Sequence, residues 1–202
     1  MADRSSTPSR TERKRERTRR ELLEAGREVL AEKGASLTIR DVTTAADVAV
    51  GTFYNYFQDP DDLIDAVMRE ELLTIMASAA GEQTTDPAER IAQTTVRVLD
   101  RAIGDPAWGR LALRLVHRPG EPNQLNGYLR DDLDEGRAQA RFEFGADDAT
   151  LDLATGLLVM SLRRIVAGAA GREVVAPVVE RLLRALGIEA DEAAVIARRA
   201  AA

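Results

Sequence analysis

Between Thr52 and Tyr56 the chain sets a threonine, two tyrosines and an asparagine within five residues, with Phe53 among them. Hydroxyl and carboxamide groups suit phosphate oxygens and base edges alike, so the cluster is equipped to recognise a nucleic acid. Just before it, Val50 offers methyl surface to a thymine methyl and Gly51 allows close backbone approach. Upstream, Thr38 and Arg40 supply a hydroxyl and a cation for phosphates at the start of a helical pattern. Asn55 suits a base edge or a phosphate, whereas Phe53 and Phe57 belong in a core.

Covalent catalysis has little to work with. His117 is the single histidine and there is no cysteine. No Gly-rich phosphate loop follows a strand, and no His–carboxylate pair has metal-ligand spacing. The carboxylate pairs Asp131–Asp132 and Asp147–Asp148 sit at capping or charged surface positions, where solvation accounts for them. No enzyme activity, cofactor or metal is expected.

The net charge of −6 misleads until it is divided. Residues 1–58 hold 11 basic and 9 acidic side chains against 17 and 25 in the remainder, and the first 20 alone hold 8 and 3. Positive charge therefore gathers at the amino end, where DNA affinity needs it, and the acidic remainder is kept off phosphates. The lack of cysteine fits a reducing compartment, and no apolar run approaches the roughly 20 residues of a membrane span. The arginine-rich start lacks the apolar core of a secretory signal. A cytoplasmic protein without a membrane partner is expected.

Helices have to position these groups. Residues 1–10 are polar, with nothing to bury, and read as a disordered arm. From about Thr11 to Lys33, Leu22, Ala25, Gly26, Val29 and Leu30 follow helical spacing, and Gly34 is a ready stop. The T-x-x-D run from Thr38 to Asp41 predicts a helix over about 39–46, and a third helix is expected from about Val50 to Phe57. Asp59–Pro60, Asp86–Pro87 and Asp105–Pro106 each place a side-chain acceptor at an N-cap and a proline at N1. Helices then follow over about 60–79, 87–103, 106–117, 122–141, 148–169 and 174–186, with a short tail helix near 192–200. No segment has strand period. The expected architecture is all-α, about nine helices plus the tail. It comprises the arm at 1–10, a three-helix helix-turn-helix domain at 11–58 and a larger helical domain at 59–202.

The stretch Leu37–Leu63 resembles the DNA-binding signature of the TetR family of bacterial transcriptional regulators. Thr38, Ile39, Arg40, Val42, Ala46, Val48, Gly51, Thr52, Phe53, Tyr54, Tyr56, Phe57 and Leu63 match that pattern in register. Three positions depart from it. Asp47 stands where the family has a glycine in a left-handed turn, a conformation Asp tolerates. Ala49 replaces a serine N-cap, leaving an N–H less satisfied by roughly 1 kcal/mol. Pro60 replaces a lysine that reaches a phosphate, which lowers affinity unless Arg10, Arg13 or Lys14 supplies the charge instead.

The resemblance implies a homodimer on a palindromic operator in double-stranded DNA, with Thr38, Arg40, Val50, Gly51, Thr52, Tyr54, Asn55 and Tyr56 at the duplex. It further implies repression relieved by a small-molecule effector held in the second domain. Met76, Trp108, His117, Tyr128, Phe142 and Met160 are the candidates to line that pocket, although such residues at helical spacing are commonly plain core. Leu158, Leu162 and Ile165 are expected to pair with Val175, Val178, Val179, Leu182, Leu183 and Leu186 across a twofold axis, with burial inside one subunit as the alternative. Ala49 and Pro60 keep a second reading open: a small-molecule binder or adaptor of the same fold that no longer reads DNA.

Overall fold

A computed structural model describes residues 9–81, 84–116 and 124–202. Among them the chain forms ten α-helices and no strand. They are α1 (Arg10–Lys33), α2 (Ile39–Ala45), α3 (Val50–Phe53), α4 (Pro60–Gly81), α5 (Pro87–Gly104), α6 (Pro106–Val116), α7 (Gln124–Ala138), α8 (Asp148–Val166), α9 (Val175–Ala185) and α10 (Ala190–Ala200). Two compact units result, residues 1–68 and 69–202, and the division falls inside α4. No helix among the described residues is long and apolar enough to cross a membrane.

In the first unit, α1 starts on a capping box. The Ser9 N–H donates to Glu12 Oε2 at 2.6 Å, and the Glu12 N–H donates to Ser9 Oγ at 3.2 Å. The helix ends at Gly34, whose φ of 62° combined with ψ of −149° only glycine adopts without strain. Leu22, Leu23, Val42, Phe53, Leu63 and Ile64 form the centre of the core. A Cβ at Gly26 would lie 3.0 Å from Leu63, so this glycine lets the first turns of α4 close on α1. Asp47 takes the left-handed turn between α2 and α3 at φ 51°, and the Val48 N–H donates to Thr43 O at 3.0 Å.

The expected third helix, Val50 to Phe57, is a correction. Regular α-helix stops at Phe53, and the Asn55 and Tyr56 N–H groups bond three residues back, to Thr52 O and Phe53 O. Such tighter turns are how a helix finishes when the next element is close. Phe53 and Phe57 must both reach the core here, and Pro60 disfavours helical backbone at Asp59.

In the second unit, α5 is the central element and packs against α6, α7, α8, α9 and α10. Each aspartate–proline start acts as its chemistry predicts. Asp59 Oδ1 accepts from the Asp62 N–H at 2.8 Å, Asp86 Oδ1 from Ala88 at 2.9 Å, and Asp105 Oδ1 from Ala107 and Trp108 at 3.1 Å. Helix α7 ends earlier than its pattern suggests, because the Arg141 N–H turns back to Gly136 O at 2.7 Å. Arg141 then clamps the loop. It donates to Asp86 at 3.0 and 2.8 Å and pairs with Glu192 at 2.9 Å, tying α7's exit to α5 and α10.

The dimer face predicted on α8 and α9 also needs correction. Leu162, Ile165, Val175, Val179, Leu182, Leu183 and Leu186 are buried within their own chain. Little of their surface is left for a partner. Leu158 lines a cavity and Val178 is only half-buried. Both helices are apolar on more than one side, so periodicity alone could not say which side the chain keeps for itself. The side it leaves exposed carries Leu153 and Met160, with half-buried Leu157 between them at helical spacing.

Candidate nucleic-acid interface and ligand cavity

The polar cluster rests on α2, α3 and the turn after α3. Val50 is 49% exposed and Tyr54 58% exposed, and Gly51 and Asn55 are exposed beside them. The Tyr54 ring stands edge-on to buried Phe53, with centroids 5.8 Å apart and planes at 85°. That contact holds the ring while its face remains in solvent. Nothing lies within 4 Å of a Cβ built on Gly51, so no packing inside the chain requires glycine there. Ala49 caps α3 without a side-chain hydrogen bond.

Tyr56 and Thr52 are half-buried. The Arg15 guanidinium lies 5.9 Å from the Tyr56 ring centroid, and Arg19 lies 5.8 Å from Phe57. These arginines act through packing as well as charge, a role the sequence reading missed. Their i, i+4 spacing was the available signal, since it places both on one face of α1. Arg10, Arg13 and Lys14, the cations expected to stand in for the lysine absent at Pro60, are exposed on the first turns of α1.

Thr38 is first a cap. Its Oγ1 donates to Asp41 Oδ2 at 2.8 Å and accepts from the Asp41 N–H at 3.2 Å, leaving little capacity for a phosphate. Exposed Arg40 makes no ion pair or hydrogen bond with a described side chain and keeps its full donor set. Lys33 Nζ donates to Asp41 Oδ1 at 2.7 Å, closing the cap. That bond, then the Thr38 hydroxyl and backbone N–H, pull the Asp41 carboxyl from 3.8 to about 2. A lowered folded value makes the carboxylate's contribution complete above about pH 4 and lost as pH falls through about 2. The thermal midpoint followed by circular dichroism should therefore drop across that window. Asp41→Asn should remove this part of the drop and lower the midpoint at pH 7; an unchanged acid profile in the variant would show that the cap contributes nothing.

The second unit encloses a cavity of about 370 Å³ among α4, α5, α6, α7, α8 and α9. Its walls are mainly apolar, with Leu72, Ile91, Val98, Leu158 and Leu162 prominent. One side is charged. Arg90 Nε donates to Asp132 Oδ1 at 2.7 Å and Arg90 Nη2 to Glu135 Oε2 at 2.5 Å, joining α5 to α7. Burial pushes the Asp132 carboxyl above its ordinary value despite this partner. Thr94, Thr95, Thr155, Tyr128 and Asp131 complete the polar lining.

Of the predicted pocket residues, Met76 and Tyr128 line this cavity. Trp108 is buried core instead, donating its indole N–H to Glu71 at 2.7 Å beneath the Arg101 guanidinium. Phe142 is also core, seated on Gly136, where a Cβ would come within 2.1 Å of the ring. Met160 is exposed on α8, away from the cavity lining. His117 lies outside the described residues. Arg90, Asp132 and Glu135 were missed. They looked like surface charges, and only an i, i+3 pair on α7 hinted that two carboxylates share a face.

Residues 22–67 match the family described as bacterial regulatory proteins, tetR family, and residues 86–199 match the tetracyclin repressor-like C-terminal domain. The HTH-type transcriptional repressor DhaR of Mycobacterium sp. (strain GP1) is 28% identical over 90 residues, 43% of this chain and 46% of DhaR. The chain thus spans about half the length of that curated relative. The crystal structure of RolR in complex with the ligand resorcinol superposes with a TM-score of 0.70 at 26% identity, covering 93% of this chain and 96% of RolR. A TetR transcriptional regulator from Rhodococcus sp. RHA1 shares the fold, with a TM-score of 0.65 at 20% identity over 86% of this chain and 98% of that one.

Proposed function

Because the chain belongs to the TetR family of bacterial transcriptional regulators, we propose that it is a cytoplasmic repressor that binds a palindromic operator as a homodimer and is released by a small-molecule effector. Residues 11–58 read the duplex, and 59–202 hold the effector and the partner subunit. The observation that carries this reading is the exposed row of Val50, Gly51, Tyr54 and Asn55 on a packed core, beside Arg40, which pairs with no described side chain. Groups left in solvent with no internal task are available to a groove. Val50 and Asn55 then face bases, while Arg40, Thr52, Tyr54 and Tyr56 contact phosphates, and Thr38 orients α2.

A single recognition element reads few base pairs, so two copies on successive grooves are needed. The face of α8 carrying Leu153, Leu157 and Met160, with Val178 on α9, supports the subunit contact. The apolar cavity supports an effector site. RolR bound to resorcinol makes a small phenolic compound the first class to try. Such a ligand works only through its different affinity for the DNA-competent and released states, and DNA must oppose it by the same factor.

Gel retardation with DNA flanking the protein's own gene tests this directly. A dimer neutralising about six to ten phosphates should lose about 10³ to 10⁵ in affinity between roughly 50 and 200 mM salt. Weak binding that ignores sequence, or a monomer by ultracentrifugation, would favour the adaptor reading and reject this one.

A further inference from the structure

Resting on the effector-responsive reading above, we propose that the cavity of the second unit selects a compact neutral ligand bearing hydroxyl groups over an anion or a cation of the same size. Asp132, Thr94, Thr155 and Tyr128 are the groups that read those hydroxyls.

The charge pattern of the wall decides between the three classes. Among the described residues, Asp131, Asp132 and Glu135 line the cavity with a single cation, Arg90. An anionic ligand meets three carboxylates, and the guanidinium that should welcome it already donates to two of them. A cationic ligand has to share Asp132 and Glu135 with Arg90 and faces its repulsion, while exposed Asp131 is screened by water and offers little in return. A hydroxyl avoids both conflicts, because it donates to a carboxylate and accepts from a neighbouring hydroxyl.

The hydroxyls that would answer are present. Thr95 has already donated its proton to Ile91 O at 2.8 Å. By contrast, Thr94, Thr155 and Tyr128 line the cavity, and their hydroxyls make no hydrogen bond with another described residue. They come from α5, α8 and α7, so they approach the space from three directions. Burial destabilises the Asp132 carboxylate, and a donor from the ligand would relieve it. The remaining wall is aliphatic and suits a ring or a short alkyl body. At about 370 Å³ the volume lies near the small end of ligand pockets and favours a compact molecule.

The test uses the full chain without DNA and three probes built on one ring and one carbon: benzyl alcohol, benzoate and benzylamine. Calorimetric titration at neutral pH should find the alcohol bound at least about tenfold more tightly than either ion, a difference of about 1.4 kcal/mol. Asp132→Asn combined with Glu135→Gln should raise benzoate affinity about tenfold, because two like charges are gone. Thr155→Val keeps the side chain's shape, so it should fold normally and weaken the alcohol alone. Equal or tighter binding of either ion overturns the proposal. So does failure of the folded protein to bind the alcohol, or a Thr155→Val variant with unchanged preference. Retardation of DNA by the ligand-free protein is scored separately, so an error about the ligand class stays distinct from an error about the regulator.

Discussion

Tyr54→Ala should weaken binding to DNA flanking the gene by about two to four orders of magnitude, with the dimer and the thermal midpoint little changed. On the proposed interface each subunit would lose one hydrogen bond to a charged phosphate, worth about 1.5–3 kcal/mol, and a dimer would lose two. The ring is 58% exposed and touches the core only edge-on at Phe53, so its removal leaves no cavity. Tyr54→Phe separates the hydroxyl from the ring and should account for most of the loss. Tyr56 is a poorer probe. Its half-buried ring carries the Arg15 guanidinium, so truncation there disturbs α1 as well as the interface. Retardation by Tyr54→Phe equal to wild type would remove the hydroxyl from the interface.

Arg90→Met should cost about 3 kcal/mol in denaturant unfolding, among the largest effects of any single polar change in this chain. The side chains of Arg90 and Asp132 are only 10% and 19% exposed, so the substitution strands a carboxylate where water reaches it poorly. Glu135 is half-exposed and adds little of its own. The cost should shrink in acid. An already raised carboxyl rises further without its cation, so the penalty is present above its folded pKa and is relieved as protonation proceeds below it. Adding Asp132→Leu should recover most of the loss, because the pair leaves together and an apolar wall closes over it. A single variant as stable as wild type would mean that the ion pair is solvated and contributes nothing to joining α5 with α7.

Local punctuation is legible in the sequence. The three aspartate–proline starts and the Thr38–Asp41 cap appear where the residues indicate, and Asp47 is left-handed as the family resemblance implies. Each depends on a side chain meeting backbone within three residues, or on the φ preference of one residue, and neither needs a distant partner. The shortened α3 was not legible. Its Thr-Phe-Tyr-Asn run is compatible with helix, and what curtails it is the demand that Phe53 and Phe57 both enter one core before α4 begins.

The larger helical unit divides the same way. Its order of helices follows from periodicity, but which apolar side meets which neighbour does not. Seven of the residues assigned to a partner subunit turned out to be filled from within the chain, leaving Leu153 and Met160 outside. Trp108 and Phe142 have the chemistry of pocket residues, yet one is held by Glu71 and the other by the absent side chain at Gly136. Arg90 meets its carboxylates 42 and 45 residues away, a separation over which sequence carries no distance. The chain's own residues thus determined the class, the helix order and the proposed recognition cluster, since these rest on short-range bonding and a contiguous motif. Tertiary packing alone decided the charged wall of the cavity and the free face of α8, because both depend on which side chains reach the same space first.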